Sequence, residues 1–267
     1  MPNYAIVVEG AHDASFLGQL LKVRGFAAAT KLSLVPSDWQ VLFPRAFPMD
    51  GETLERVMRF PEIFSREDLV VGITAAGSDS RLISTLRSVI DAMGTSTLRG
   101  IAVFIDVDKH DAATRFTSVQ KQIAAMNRAA FEEGQPGYPI TVPKKPGVME
   151  VGSPQVGVFL FPDNNRPGAL EDILVACAKT NHPEIAAAAI ALVADIDMAC
   201  PVGQEDLKHL RSGMGKGKAT VGTIANLLRP GVSVASSLAQ TSWLAHPAFE
   251  NDLVGGADAF LRALLDG

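Results

Sequence analysis

Two aspartates one residue apart, Asp106 and Asp108, follow directly on the apolar run Ile101-Ala-Val-Phe-Ile105. Such a run, β-branched or aromatic apart from Ala102, predicts a strand buried on both faces. The acids would then emerge at its carboxyl end, where open α/β sheets bind their ligands. Residues two apart in an extended chain point to the same side. Two hard carboxylate oxygens on one side suit a divalent cation such as Mg²⁺. Taken alone, the pair is equally compatible with a solvated strand end whose acids cap the next helix.

Other acids occupy comparable places. Residues 4–8 read as a short apolar strand closed by Glu9-Gly10, and a helical pattern opens at Asp13, with Phe16, Leu17, Leu20 and Leu21 at helical spacing before Gly25. Asp13 in a first helical turn is favoured by the helix dipole; Glu9 has no comparable local excuse. Residues 156–161 form the last clear core strand. Pro162-Asp-Asn-Asn-Arg-Pro-Gly168 leads from it into a helix beginning Ala169-Leu-Glu171-Asp172. Acids thus follow three strands of an alternating α/β pattern, and in a parallel sheet those ends gather on one edge. Clustered carboxylates repel one another and are costly to desolvate unless a cation neutralises them.

The elements that must hold these acids can be read along the chain. Residues 31–35 look like a second strand. The stretch 36–51, with three prolines and no sustained period, reads as irregular; it belongs to an insertion over about 36–68 that Trp39, Phe43 and Phe47 pack onto the body. A strand at 69–73, a glycine-containing turn and a helix over 79–93 follow, the last with Leu82, Ile83, Leu86, Val89 and Ile90 on its buried stripe. A long helix over 112–133 carries Phe116, Val119, Ile123 and Met126. Residues 138–156 fit a β-hairpin or loose connector. Beyond residue 180 strands disappear, and 184–198, 205–211, 220–228 and 257–265 read as helices. The expectation is an α/β domain over 1–180, a mainly parallel sheet flanked by helices, with a helical region over 181–267.

Composition bounds the function. The chain has 267 residues, 47% hydrophobic and 20% charged, which describes an ordinary globular protein. Its longest strongly apolar run, 185–194, falls short of the ~18 residues a membrane span needs. Without a signal-peptide pattern at the amino terminus, the expected location is cytoplasmic. Cys177 and Cys200 lack metal-type spacing and read as core thiols. A net charge of −5 and a pI near 5.6 do not advertise nucleic-acid binding. Bound divalent cations can nonetheless receive phosphates locally.

Val8-Glu9-Gly-Ala-His-Asp13 resembles the first motif of the Toprim (topoisomerase–primase) domain, and Phe104-Ile-Asp106-Val-Asp108 its Asp-x-Asp motif. Pro162-Asp-Asn through Gly168-Ala-Leu-Glu171-Asp172-Ile-Leu is similar to the third region of an uncharacterised bacterial Toprim-like family related to OLD-type nucleases. The resemblance covers roughly residues 1–180 and implies a Toprim-like Rossmannoid fold. It implies that Glu9, Asp13, Asp106, Asp108 and Glu171 carry one or two Mg²⁺ or Mn²⁺ ions, with Asp172 assisting and Glu9 and Asp106 at the centre of catalysis. OLD-type nucleases also set a downstream lysine against the scissile phosphate. Lys216 and Lys218, in Ser212-Gly-Met-Gly-Lys216-Gly-Lys218-Ala-Thr220, are the candidates here. That stretch departs from a P-loop at Ser212 and Ala219, and its bland reading is a basic surface loop.

The resulting expectation is a metal-dependent nuclease acting on DNA or RNA, with a separate ATPase as a partner protein, no membrane association and homo-oligomerisation left open. No tyrosine suits topoisomerase strand transfer, and no primase apparatus is visible. Two rivals stand beside it. One is a non-catalytic Toprim-like module that binds metal, nucleic acid or protein; the other is a small-molecule phosphatase suggested by Asp106-x-Asp108.

Overall fold

A computed structural model describes residues 1–43, 60–67 and 69–266. The first half of the chain runs β1 (Asn3–Val8), α1 (Ala11–Val23), β2 (Ala27–Ala28), α2 (Ser37–Gln40), β3 (Glu62–Arg66), β4 (Leu69–Ala75), α3 (Leu82–Met93), β5 (Leu98–Asp106) and α4 (Ala112–Glu132). It continues through β6 (Met149–Glu150), β7 (Gln155–Phe161), α5 (Leu170–Asn181), α6 (Pro183–Ala199), α7 (Gly215–Leu228), α8 (Val234–Gln240) and α9 (Asp252–Asp266). The strands form one sheet in the order β2-β3-β4-β1-β5-β7-β6. β4, β1, β5 and β7 are parallel, and the short outer strands are antiparallel to their neighbours. After β1 the chain moves outward to β4, then crosses back to β5 on the other side. The strand order therefore reverses at the β1/β5 pair, the place where a crevice opens beyond the carboxyl ends.

Side chains alternate across the sheet. Tyr4, Ile6, Val8, Ala102, Phe104, Phe159 and Phe161 face α1, α5 and the carboxyl-terminal helices. Ala5, Val7, Ile101, Val103, Ile105, Val158 and Leu160 face α3 and α4. Helices cover both faces, which is why these strands are continuously apolar. Phe104, Phe159 and Phe260 of α9 pack with ring centroids 5.3–5.6 Å apart. The Tyr4 hydroxyl donates to the Leu265 carbonyl at 3.2 Å, tying β1 to α9. The helices beyond residue 180 thus share one core with α1 and α5. Among the described residues, no helix is long and apolar enough to cross a membrane. Cys177 is buried, and both cysteines are free thiols.

The structure departs from the sequence reading in several places. Residues 31–35 are not a strand: Leu32–Leu34 form a single 3₁₀ turn with both leucines exposed. Ala27–Ala28 takes the sheet-edge position instead, pairing with β3. The expected insertion contains that strand, a polar-ended segment that joins β4 through a tight turn at Glu67, whose φ is +52°. Trp39 and Phe43 pack onto the body as expected. Trp39 is fully buried and its Nε1 donates to Asn3 Oδ1 at 2.9 Å. Phe47 lies outside the described residues. In the last third, 205–211 retains only a 3₁₀ turn at Glu205–Leu207, α7 begins at Gly215 rather than 220, and α8 is an addition. Glycines at 215 and 217 carry weak helix propensity, so the pattern understates α7.

Candidate functional site

Asp106 is the last residue of β5 and shares the sheet face of Phe104, so its carboxylate points toward α1 and α5. Its Oδ1 accepts the Leu170 N–H, at the start of α5, at 3.0 Å. Asp13 lies in the first turn of α1, and its Oδ2 accepts the Gly10 N–H at 2.7 Å. Glu171 lies in the first turn of α5; its Oε2 is buried without a hydrogen-bond partner. These three residues are only 6–9% exposed. Glu9, one residue past β1, reaches sideways to β5, where its Oε1 accepts the Asp106 N–H at 3.0 Å. The turns that follow β1, β5 and β7 therefore bring Glu9, Asp13, Asp106 and Glu171 to one edge.

Burial raises the proton affinity of all four acids, because a desolvated carboxylate disfavours its charge. For Asp13, burial outweighs the Gly10 N–H, and Glu9 and Glu171 add repulsion, pushing the carboxyl up to about 7. Asp106 stands well above the ordinary range through burial, then through repulsion from Asp13, Glu9 and Glu171. Burial likewise dominates for Glu171, opposed in part by Lys218 and reinforced by Asp108 and Asp172. Each acid thus feels its neighbours. Among the described residues, no three His, Cys, Asp or Glu side chains form a ready-made metal-ligand set.

The remaining candidates separate. Asp108 does not continue the strand: it adopts φ +58°, and its N–H and carbonyl each bond to Gly168 at 2.7 Å. The same-side geometry expected for an extended Asp106-x-Asp108 is therefore replaced by a bridge between the two loops. Asp172 is exposed, and its Oδ2 accepts the Ala169 N–H at 2.8 Å, a helix-capping bond like the one Asp13 makes. Gly168, at φ +144°, has no room for a Cβ, which would sit 2.5 Å from Asp172 Oδ2. Lys216 pairs with Asp197 of α6 at 2.6 Å. Lys218 instead draws on Asp13 and Glu171 electrostatically. It lines a cavity of about 560 Å³ together with Asp108, Lys109, His110 and His209.

The model of a protein family of unknown function, DUF3226, matches residues 3–225. The chain belongs to this family. The match runs from β1 through most of α7 and so includes every acid described above and both lysines. No curated protein matches this DUF3226 chain significantly. The crystal structure of the hypothetical protein PH0156 from Pyrococcus horikoshii OT3 is similar over 99% of this chain and 96% of that one, with a TM-score of 0.53 and 19% identity. That likeness is one of fold: an α/β architecture with its sheet flanked by helices.

One residue beside the acids of this DUF3226 chain is not evident from strand ends. Arg115, 9% exposed in the first turn of α4, donates Nε to the Asp106 carbonyl at 3.0 Å and an Nη to Glu9 Oε1 at 3.3 Å. Two further bonds, at 3.1 and 2.7 Å, hold Asp79. The guanidinium thus orients Glu9 from the sheet face opposite Asp106. The signal was available: Arg115 falls in line with Val119 on the buried stripe of a helix, where a charge needs a partner. Asp79 carried no such sign in the turn after β4.

Proposed function

We propose that this protein is a metal-dependent phosphodiesterase that hydrolyses DNA or RNA. The observation that carries the reading is the convergence of Glu9, Asp13, Asp106 and Glu171, with burial and repulsion raising the proton affinity of each. Such a set is stable at neutral pH only with protons or cations to offset its charge. The donor chemistry fits Mg²⁺ or Mn²⁺: every candidate ligand is a carboxylate oxygen. Glu9, Asp13 and Asp106 each engage one oxygen with a backbone N–H, and Glu171 Oε2 is buried with no partner. Asp106, Asp13 and Glu171 would hold the cation, with Glu9 and Asp108 at its margin. Asp172 is the weaker candidate because it caps α5.

When bound, the ion supplies an activated water and neutralises charge developing on the phosphate. The chain's own residues do the rest. Arg115 fixes the rotamer of Glu9, and the Leu170 N–H fixes one oxygen of Asp106. Among the described residues Lys218 has no ion pair to a side chain, and it can meet a phosphate oxygen. Lys216 is occupied by Asp197, so of the two candidate lysines Lys218 is preferred. The resemblance to Toprim nucleases supports the same reaction, and a separate ATPase that delivers substrate would offset the weak capture expected of an acidic chain.

The test combines calorimetric titration of Mn²⁺ with cleavage of labelled DNA and RNA at low salt. Glu9→Gln and Asp106→Asn are expected to abolish cleavage. Lys218→Ala should lower it by roughly tenfold or more, as loss of a charged contact to the reacting phosphate does, while Lys216→Ala stays near wild type. Equal cleavage by wild type and Glu9→Gln would refute the assignment. Metal binding without cleavage would leave a binding module; hydrolysis of phosphate monoesters alone would leave a phosphatase.

A further inference from the structure

The cavity beside the acids has a charge opposite to theirs. Its walls carry Lys109, His110, His209 and Lys218 against the single acid Asp108. None of those four basic side chains has a salt bridge or side-chain hydrogen bond among the described residues. Their neighbours differ: Lys208 pairs with Glu205, while Arg211 and Lys216 pair with Asp197. Within one short segment, the basic residues that face away are neutralised and those that face inward are left open. This is the reverse of chance surface decoration, and the protein as a whole is acidic.

The wall is also built rather than loose. Arg211 donates to Asp197 Oδ1 and to the carbonyls of Asp197, Cys200, Pro201 and Val202 at 2.7–3.0 Å. This ties the segment that bears His209 to the end of α6. Gly215 lets α7 start against that segment, since a Cβ there would lie 2.0 Å from the His209 carbonyl oxygen. The volume of about 560 Å³ falls within the range of small-ligand sites.

We infer that this cavity is a subsite for the terminal phosphate of the substrate. The inference deepens the phosphodiesterase reading and rests on it for the identity of the substrate. Lys109, His110 and His209, with Lys218 at the border toward the acids and the reacting phosphate, suit the three free oxygens of a phosphate monoester better than the two of an internal diester. The two lysines outnumber the single carboxylate of Asp108, and the imidazoles add N–H donors. A monoester carries about −1.5 to −2 charges at neutral pH, a diester about −1. Seated there, a phosphorylated end puts the next linkage beside Asp108 and the acid cluster, so the reaction proceeds from phosphorylated ends.

The test is equilibrium binding in chelator, where no hydrolysis interferes. Internally labelled oligonucleotides differing only in a 5′-phosphate, a 3′-phosphate or neither are compared by fluorescence anisotropy, with inorganic phosphate and a nucleoside monophosphate as competitors. Wild type should prefer one phosphorylated end by about tenfold, consistent with two or three partly exposed charged contacts. In Lys109→Gln/His209→Gln, which changes only exposed side chains, the preference should fall to about twofold or less while Mn²⁺-dependent thermal stabilisation persists. Equal affinity for all three oligonucleotides, or a preference unchanged in the double variant, would overturn the subsite even if cleavage occurs. Competition by the monophosphate, lost in the double variant, without any oligonucleotide binding would support the subsite and sink the nuclease reading.

Discussion

Replacing Asp13 by asparagine should stabilise the protein at alkaline pH in the absence of metal. The Asp13 carboxyl is pushed from its ordinary 3.8 up to about 7, first by burial and then by Glu9 and Glu171. An acid with a raised folded-state pKa binds its proton more tightly when native. Its contribution is intact below about pH 4 and is lost as pH rises toward about 7. Each tenfold change in proton affinity is worth about 1.4 kcal/mol, so roughly 4 kcal/mol is forfeited by pH 8. Asparagine keeps an oxygen for the Gly10 N–H and removes the charge, at a cost of about 1–2 kcal/mol for the unsatisfied amide. The net gain expected at pH 8 is about 2 kcal/mol, or some 4–8 °C in Tm for a chain of this size. At pH 5 the wild-type carboxyl is protonated, so the advantage should disappear or reverse. Melts in chelator from pH 5 to 8 decide it: a variant less stable at pH 8, or a difference that does not vary with pH, would refute the reasoning. Saturating Mn²⁺ should reverse the order at pH 8 if Asp13 holds the ion.

Two further changes probe the supports. Arg115→Met removes buried bonds to Glu9 and the Asp106 carbonyl, each worth about 1.5–3 kcal/mol, while the half-exposed Asp79 pair adds less than ~1. Denaturant unfolding should show a loss of about 3 kcal/mol, and an unchanged midpoint would mean the guanidinium contributes nothing net. Gly72→Ala places a Cβ 2.1 Å from the Trp39 ring, so about 1–3 kcal/mol of overpacking strain and a red-shifted tryptophan emission are expected. Unaltered emission and stability would show that α2 simply moves aside.

The strands that lead to the acids were legible because burial on both faces writes itself as unbroken apolar runs, as in 101–105 and 156–161. Glu9 and Asp106 were legible for the same reason, since a carboxylate directly after such a run stands out, and Asp13 and Glu171 were legible as first-turn acids of the helices that follow. What escaped depended on partners distant in the chain. β3 begins with Glu62 and ends with Arg66, and only pairing with β4 makes it a strand. Leu32 and Leu34 imitate a strand's alternation but lack a free sheet edge, which Ala27–Ala28 occupies. Lys216 and Lys218 are indistinguishable in sequence; Asp197, on another helix, separates them. Asp108 looked coaxial with Asp106 because nothing local foretells the bond to Gly168 that turns it aside.

The hydrogen bond from Tyr4 to the Leu265 carbonyl spans 261 positions of sequence, and the ring of Phe260 closes over Phe104 and Phe159. A chain emerging from the ribosome presents all four parallel strands long before α9 exists to cover them. Until α9 is made, Phe104 and Phe159 lack the cover that Phe260 gives, for the time taken to add about a hundred residues, several seconds or more at ~5–20 residues per second. Transiently exposed hydrophobic surface of this kind makes a nascent chain prone to aggregation. A deletion in α9 would register there first, as lost yield in the cell, before any purified sample could be assayed.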